Sequence, residues 1–90
     1  MHFLREFIMR LDLQELVLAA IAKRIQAEIQ LLSVTFEENS IEHWKCKRMC
    51  DNREITVIVA PGKRINNLDV RFKIGKRSKE GIVTVKIIDT

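Results

Sequence analysis

The hydrophobic period of this chain changes once, near Leu32–Ser33, and that switch limits the folds open to it. Before it, apolar residues fall at Leu13, Leu16, Val17, Ala20, Ile21, Ile25, Ile29 and Leu32, the spacing of one helix face. After it, apolar and polar residues alternate, as in strands with one buried face.

The helical half carries its own start signal. In "DLQE", Asp12 to Glu15, the Asp12 carboxylate can accept from the Glu15 amide while the Glu15 side chain reaches back, and Leu11 and Leu16 complete a hydrophobic staple. No Pro or Gly follows before Leu32, so the pattern predicts a helix over residues 12–32. Ahead of it, Phe3, Leu4, Phe7, Ile8 and Leu11 mark a shorter amphipathic segment, with a break expected at Leu11–Asp12 and one continuous helix as the alternative. A piece that short is unstable alone in water and must pack on something.

Five segments of the second half read as strands: "SVTFEE", "HWKCKRMC", "REITVIVA", "LDVRFKIG" and "GIVTVKII". Asp51–Asn52 is a two-residue turn candidate, and pairing Cys50 with Arg53 sets Cys46 opposite Val57 and Trp44 opposite Val59. "PGKRINN" ends the third strand, because Pro61 and Gly62 break the ladder. The last two strands have two registers that align their apolar faces. One pairs Ile74 with Val83 and sets Arg71 against Lys86; the other pairs Phe72 with Val83 and sets Asp69 favourably against Lys86. The fold expected is α+β, with an N-terminal helix, or two, packed on one face of a four- or five-stranded antiparallel β-meander. It divides into a helical part, residues 1–32, and a sheet part, residues 33–90, within one domain, since 90 residues leave room for no second core.

Composition narrows the function. With 47% hydrophobic and 31% charged residues the chain reads as globular, and its longest apolar run, Leu16 to Ala22, is far too short to cross a membrane. The amino terminus carries acidic residues and no small-residue cleavage site, so no secretory signal is expected. Cys46 and Cys50 lie about 13 Å apart if both are on one strand, beyond disulfide reach, which makes reduced thiols and a cytoplasmic location the expectation.

Charge is unevenly placed. Residues 1–42 sum to −3 and residues 43–90 to +7. Lys45, Lys47, Arg71, Lys73 and Lys86 alternate onto the polar side of their strands; Lys76, Arg77 and Lys79 extend the array at the last hairpin tip, and Lys63 and Arg64 sit in the other loop. Such an array can neutralise DNA or RNA phosphates without reading sequence. It lacks interleaved aromatics, since Trp44 and Phe72 belong to the apolar phase, and a solvated polar face explains the same pattern.

Other constellations point nowhere chemical. His43, Cys46 and Cys50 resemble metal ligands in spacing, but His43 and Cys46 fall on opposite strand faces and no fourth ligand is at hand. "PGKR" has neither the upstream glycine nor the downstream hydroxyl of a phosphate-binding loop. Glu37, Glu38 and Glu42 lie in a polar connection where nothing desolvates one of them for acid–base work. No metal, cofactor or catalytic residue is therefore assigned, and the chain reads as non-enzymatic. The amino-terminal segment has more apolar circumference than one core face needs. Phe3, Leu4, Phe7 and Ile8 thus make a contact surface for a partner protein or for a second copy in a homodimer. The expected function is a small interaction module working through that surface. Sequence-nonspecific nucleic-acid backbone binding by the basic sheet face is the alternative.

Overall fold

The computed structural model describes residues 2–76 and 78–87, with side chains from Asp12 onward. A single helix, α1 (His2–Ile25), precedes five strands: β1 (Ile29–Phe36), β2 (Glu42–Arg48), β3 (Glu54–Pro61), β4 (Asn67–Ile74) and β5 (Gly81–Lys86). Each strand pairs antiparallel with the next, in the order β1-β2-β3-β4-β5, and the helix packs on one face of this meander. The architecture is the α+β arrangement that the change of period implies.

The boundary between the two parts is not where the periodicity placed it. The helix stops at Ile25 and β1 begins at Ile29, so residues 29–32 belong to the sheet rather than to the helix. The stop is a left-handed cap. Gln26 adopts φ 54°, and the Ala27 amide donates to the Ala22 carbonyl at 3.1 Å, the six-to-one bond of a Schellman ending. Glycine normally fills that position, and its absence concealed the stop. Ile29 and Leu32 keep a helical spacing from Ile25 only by coincidence. Leu32 is the extra residue of a β-bulge between Leu31 and Ser33, and it is exposed. Asp12, expected to open a helix, lies inside α1 on its exposed side. Gln26→Gly should stabilise the fold by about 0.5–1 kcal/mol, because only the left-handed cost of a side chain is removed. Thermal unfolding checks this, and a lowered midpoint would contradict the cap.

The core joins the two layers. Val17 and Ile21 of α1 are wholly buried against Trp44, Cys46, Ile55, Val57, Val59, Val70, Phe72 and Val85, all from the same sheet face. Each fully buried aliphatic side chain of this kind contributes about 1.5–3 kcal/mol. Trp44 meets its polar need locally, its indole N–H donating to the Glu42 carboxylate at 3.0 Å.

Both hairpin registers differ from expectation by an even number of residues, two in β2–β3 and two or four from the alternatives in β4–β5, which leaves every side chain on its proper face. In β2–β3, Trp44 lies opposite Val57 and Cys46 opposite Ile55, with a loop of Met49 to Asn52 instead of a two-residue turn. Asn52 takes φ 57°, and the Asp51 carboxylate accepts from Arg48 Nε at 3.0 Å, Arg48 Nη2 at 2.5 Å and the Arg53 amide at 3.2 Å. Those bonds, the one to Arg48 first, lower the Asp51 pKa to about 2 and hold the wider turn. In β4–β5, neither expected register occurs. Val70 faces Val83, Asp69 faces Thr84, Lys86 faces Asn67, and Phe72 faces Gly81. The loop between them is closed by Gly75 at φ 70° and by the Ser78 hydroxyl, which accepts the Ile74 amide at 2.8 Å. Phe72 sets this register, since its ring lies over Gly81 where any Cβ would collide with it.

Candidate functional site

Because α1 covers one sheet face, the other has no layer over it within the described residues. Strand alternation assigns its residues directly. A row across the sheet runs Ser33, Lys45, Thr56, Lys73, and the next runs Thr35, His43, Ile58, Arg71, Ile82. Lys45 and Lys73 flank Thr56 from β2 and β4, with Cα atoms about 10 Å apart at the usual strand spacing. His43 and Arg71 flank Ile58 about 7 Å further along. Between these corners lies a shallow depression of about 290 Å³, floored by Thr56 and Ile58 and bounded toward β5 by Glu80.

The electrostatics of these corners differ. Arg71 reaches Glu80 at 3.8 Å, a long contact with the Arg71 side chain mostly in solvent and that of Glu80 partly so, which makes the pair loose. His43 Nε2 lies 3.2 Å from a Glu37 carboxylate oxygen. Lys45, Lys73 and the Thr56 hydroxyl engage no hydrogen bond or ion pair among the described residues. Lys45 and Lys73 thus place two exposed positive charges on one row of the open face.

The ten expected basic residues do not form one patch. Lys45, Lys47, Arg71, Lys73 and Lys86 do share the open face. Lys76 and Lys79 lie in the β4–β5 loop at one end; Arg77 lies outside the described residues. Lys63 and Arg64 lie in the β3–β4 loop at the opposite end, roughly 20 Å away along strands of this length. Lys86, opposite Asn67, belongs with that far end. Lys47 faces Glu54 across the β2–β3 pair, and Asp69 sits beside Thr84 on the same surface. The usable positive field therefore centres on Lys45, Lys73 and Arg71.

Sequence reasoning missed the uncharged half of this surface. Thr56, Ile58 and Ile82 lie between the cations, with Ile58 and Ile82 exposed. The signal was present in "REITVIVA", where Ile58 falls out of phase with the buried Ile55, Val57 and Val59. His43 was considered only as a metal ligand, and it points to this face while Cys46 lies in the core. Burial pushes the Cys46 thiol up to about 11, the direction opposite to that of a reactive thiolate. Cys50 is exposed in the turn region after β2.

The expected protein-contact residues Phe3, Leu4, Phe7 and Ile8 lie outside the residues whose side chains are described. Toward the other end of the helix, Leu18, Ala19, Ala22, Leu31 and Met49 line a largely apolar groove between α1 and β1, with Glu28 and Gln30 at its edge. Among the described residues no helix is long and apolar enough to cross a membrane. Comparison of the chain with protein-family models, with curated proteins and with solved structures yields no match.

Proposed function

We propose that this chain is a non-catalytic module that binds nucleic-acid backbones through the uncovered face of its sheet. The observation that carries the reading is the group formed by Lys45, Lys73 and Arg71 around Thr56 and Ile58, a positive, partly apolar depression on a rigid strand scaffold. Cations projecting from β2 and β4 meet phosphates without reading base edges, so binding is salt-dependent and insensitive to sequence. Exposed Ile58 and Ile82 offer base planes an apolar surface in place of the missing aromatics. Fluorescence anisotropy with mixed-sequence oligonucleotides tests this reading. Micromolar binding at low salt is expected, and its absence overturns the reading.

A second reading, self-association through the amino-terminal helix, draws on the groove between α1 and β1, where Met49 is exposed. Under it, light scattering gives twice the monomer mass and Phe7→Asp returns the monomer. A monomer mass for the parent chain at high concentration rejects it. A dimer would double the basic surface, so the two readings are compatible.

A further inference from the structure

The backbone-binding reading leaves open whether the sheet face merely attracts phosphates or holds one nucleotide in a defined place. We propose that the depression over Thr56 and Ile58 is a single-nucleotide subsite that takes an unpaired nucleotide of a single strand. The phosphate sits between Lys45 and Lys73, the Thr56 hydroxyl donates to it, and the sugar and base lie toward Ile58 and Ile82.

Three observations converge on that geometry. Lys45, Thr56 and Lys73 occupy one cross-strand row, so an ammonium, a hydroxyl and an ammonium meet a tetrahedral oxyanion from three directions. None of the three is engaged by another side chain among the described residues, so binding breaks no existing pair. The third observation is polarity across the depression. Among the described residues its one lining carboxylate, Glu80, stands on the β5 side against Arg71 at 3.8 Å. That side repels a phosphate and suits a neutral base, whose N–H groups Glu80 can accept, with Ile82 alongside Arg71. The phosphate is therefore held over Thr56, between Lys45 and Lys73, and the base lies toward Ile58 and Ile82. A volume of about 290 Å³ accommodates a nucleotide-sized group. A paired base is turned into its duplex and cannot lie on Ile58, so the subsite favours single strands.

The inference rests on the backbone-binding reading, and the experiment separates their failures. Affinities are measured for an oligothymidylate single strand and for its duplex with oligoadenylate, and amide shifts are followed with thymidine monophosphate and with inorganic phosphate. The single strand should bind about tenfold or more tightly than the duplex. Lys45→Ala and Lys73→Ala should each weaken single-strand binding about tenfold, and Thr56→Val about fivefold, with Thr56→Ser restoring it. Lys47→Ala, across from Glu54, should change affinity by no more than about twofold. Thymidine monophosphate should shift the amides of Thr56 and Ile58, whereas inorganic phosphate should shift Thr56 alone. Equal affinity for single strand and duplex overturns the subsite while leaving backbone binding intact. So does unchanged binding by the Lys45, Lys73 and Thr56 variants, or identical shifts from the two small probes. No binding of either oligonucleotide at low salt overturns both.

Discussion

Gly81→Val should lower the thermal midpoint by about 10–20 °C, although valine is the better strand former. A Cβ at Gly81 would lie 2.6 Å from Phe72 Cε2 and 2.7 Å from Cε1, and nearer still to Cζ. Valine gains roughly 1 kcal/mol from strand preference and another 0.5–1 kcal/mol from the lost freedom of glycine in the unfolded chain. Against this, Phe72, which is only 6% exposed, must leave its place in the core. Displacing a buried aromatic ring costs about 3–5 kcal/mol, so the net loss is about 1–3.5 kcal/mol. That is a large share of the stability of a small domain. Phe72→Leu in the Gly81→Val background should cost less than in the parent chain, because part of the collision is removed. An unchanged or raised midpoint for Gly81→Val would show that Phe72 and Gly81 are not partners and that β5 pairs in another register.

Reversing charge at the centre of the open face should abolish nucleic-acid binding with little effect on folding. In the Lys45→Glu, Arg71→Glu, Lys73→Glu variant, three attractions become three repulsions. Each lost phosphate contact is worth about fivefold at moderate salt, so affinity should fall by at least about a hundredfold. All three residues are exposed, and surface substitutions of this kind shift stability by only about 0.5 kcal/mol. Lys63→Glu with Arg64→Glu, at the far end of the sheet, should weaken binding by no more than about tenfold. Anisotropy titrations beside thermal unfolding give both readouts. Equal losses from the central and distal variants would mean that diffuse charge, not the depression, binds the ligand.

The layer order and the facing of β2 to β5 were legible because they depend on period alone, whereas the first residues of β1 read as helix. Trp44, Cys46, Val70, Phe72 and Val85 alternate with polar neighbours, and that alternation survives any two-residue slip. Register was not legible for the same reason. What selects it is local chemistry: the Asp51 carboxylate gathering Arg48 and the Arg53 amide, and the Phe72 ring lying over Gly81. The end of α1 was hidden because Gln26 does the work of a glycine. Of the candidate site, the five face cations were readable from alternation. Their division into a central trio and a distal group was not, since it follows from which loops lie at which end of the meander. Thr56 and Ile58 escaped notice because a search for charge passes over the uncharged residues between.

The most direct test of the account is the salt dependence of single-strand binding by the parent chain. If Lys45 and Lys73 share one phosphate and Arg71 meets a neighbouring one, the logarithm of the association constant should fall with the logarithm of salt concentration at a slope near −1.4, from about 0.7 per phosphate. The reversed variant should show no measurable binding over the same range. A slope indistinguishable from zero, or binding that the reversal leaves intact, would contradict the assignment of the open sheet face as a nucleic-acid surface.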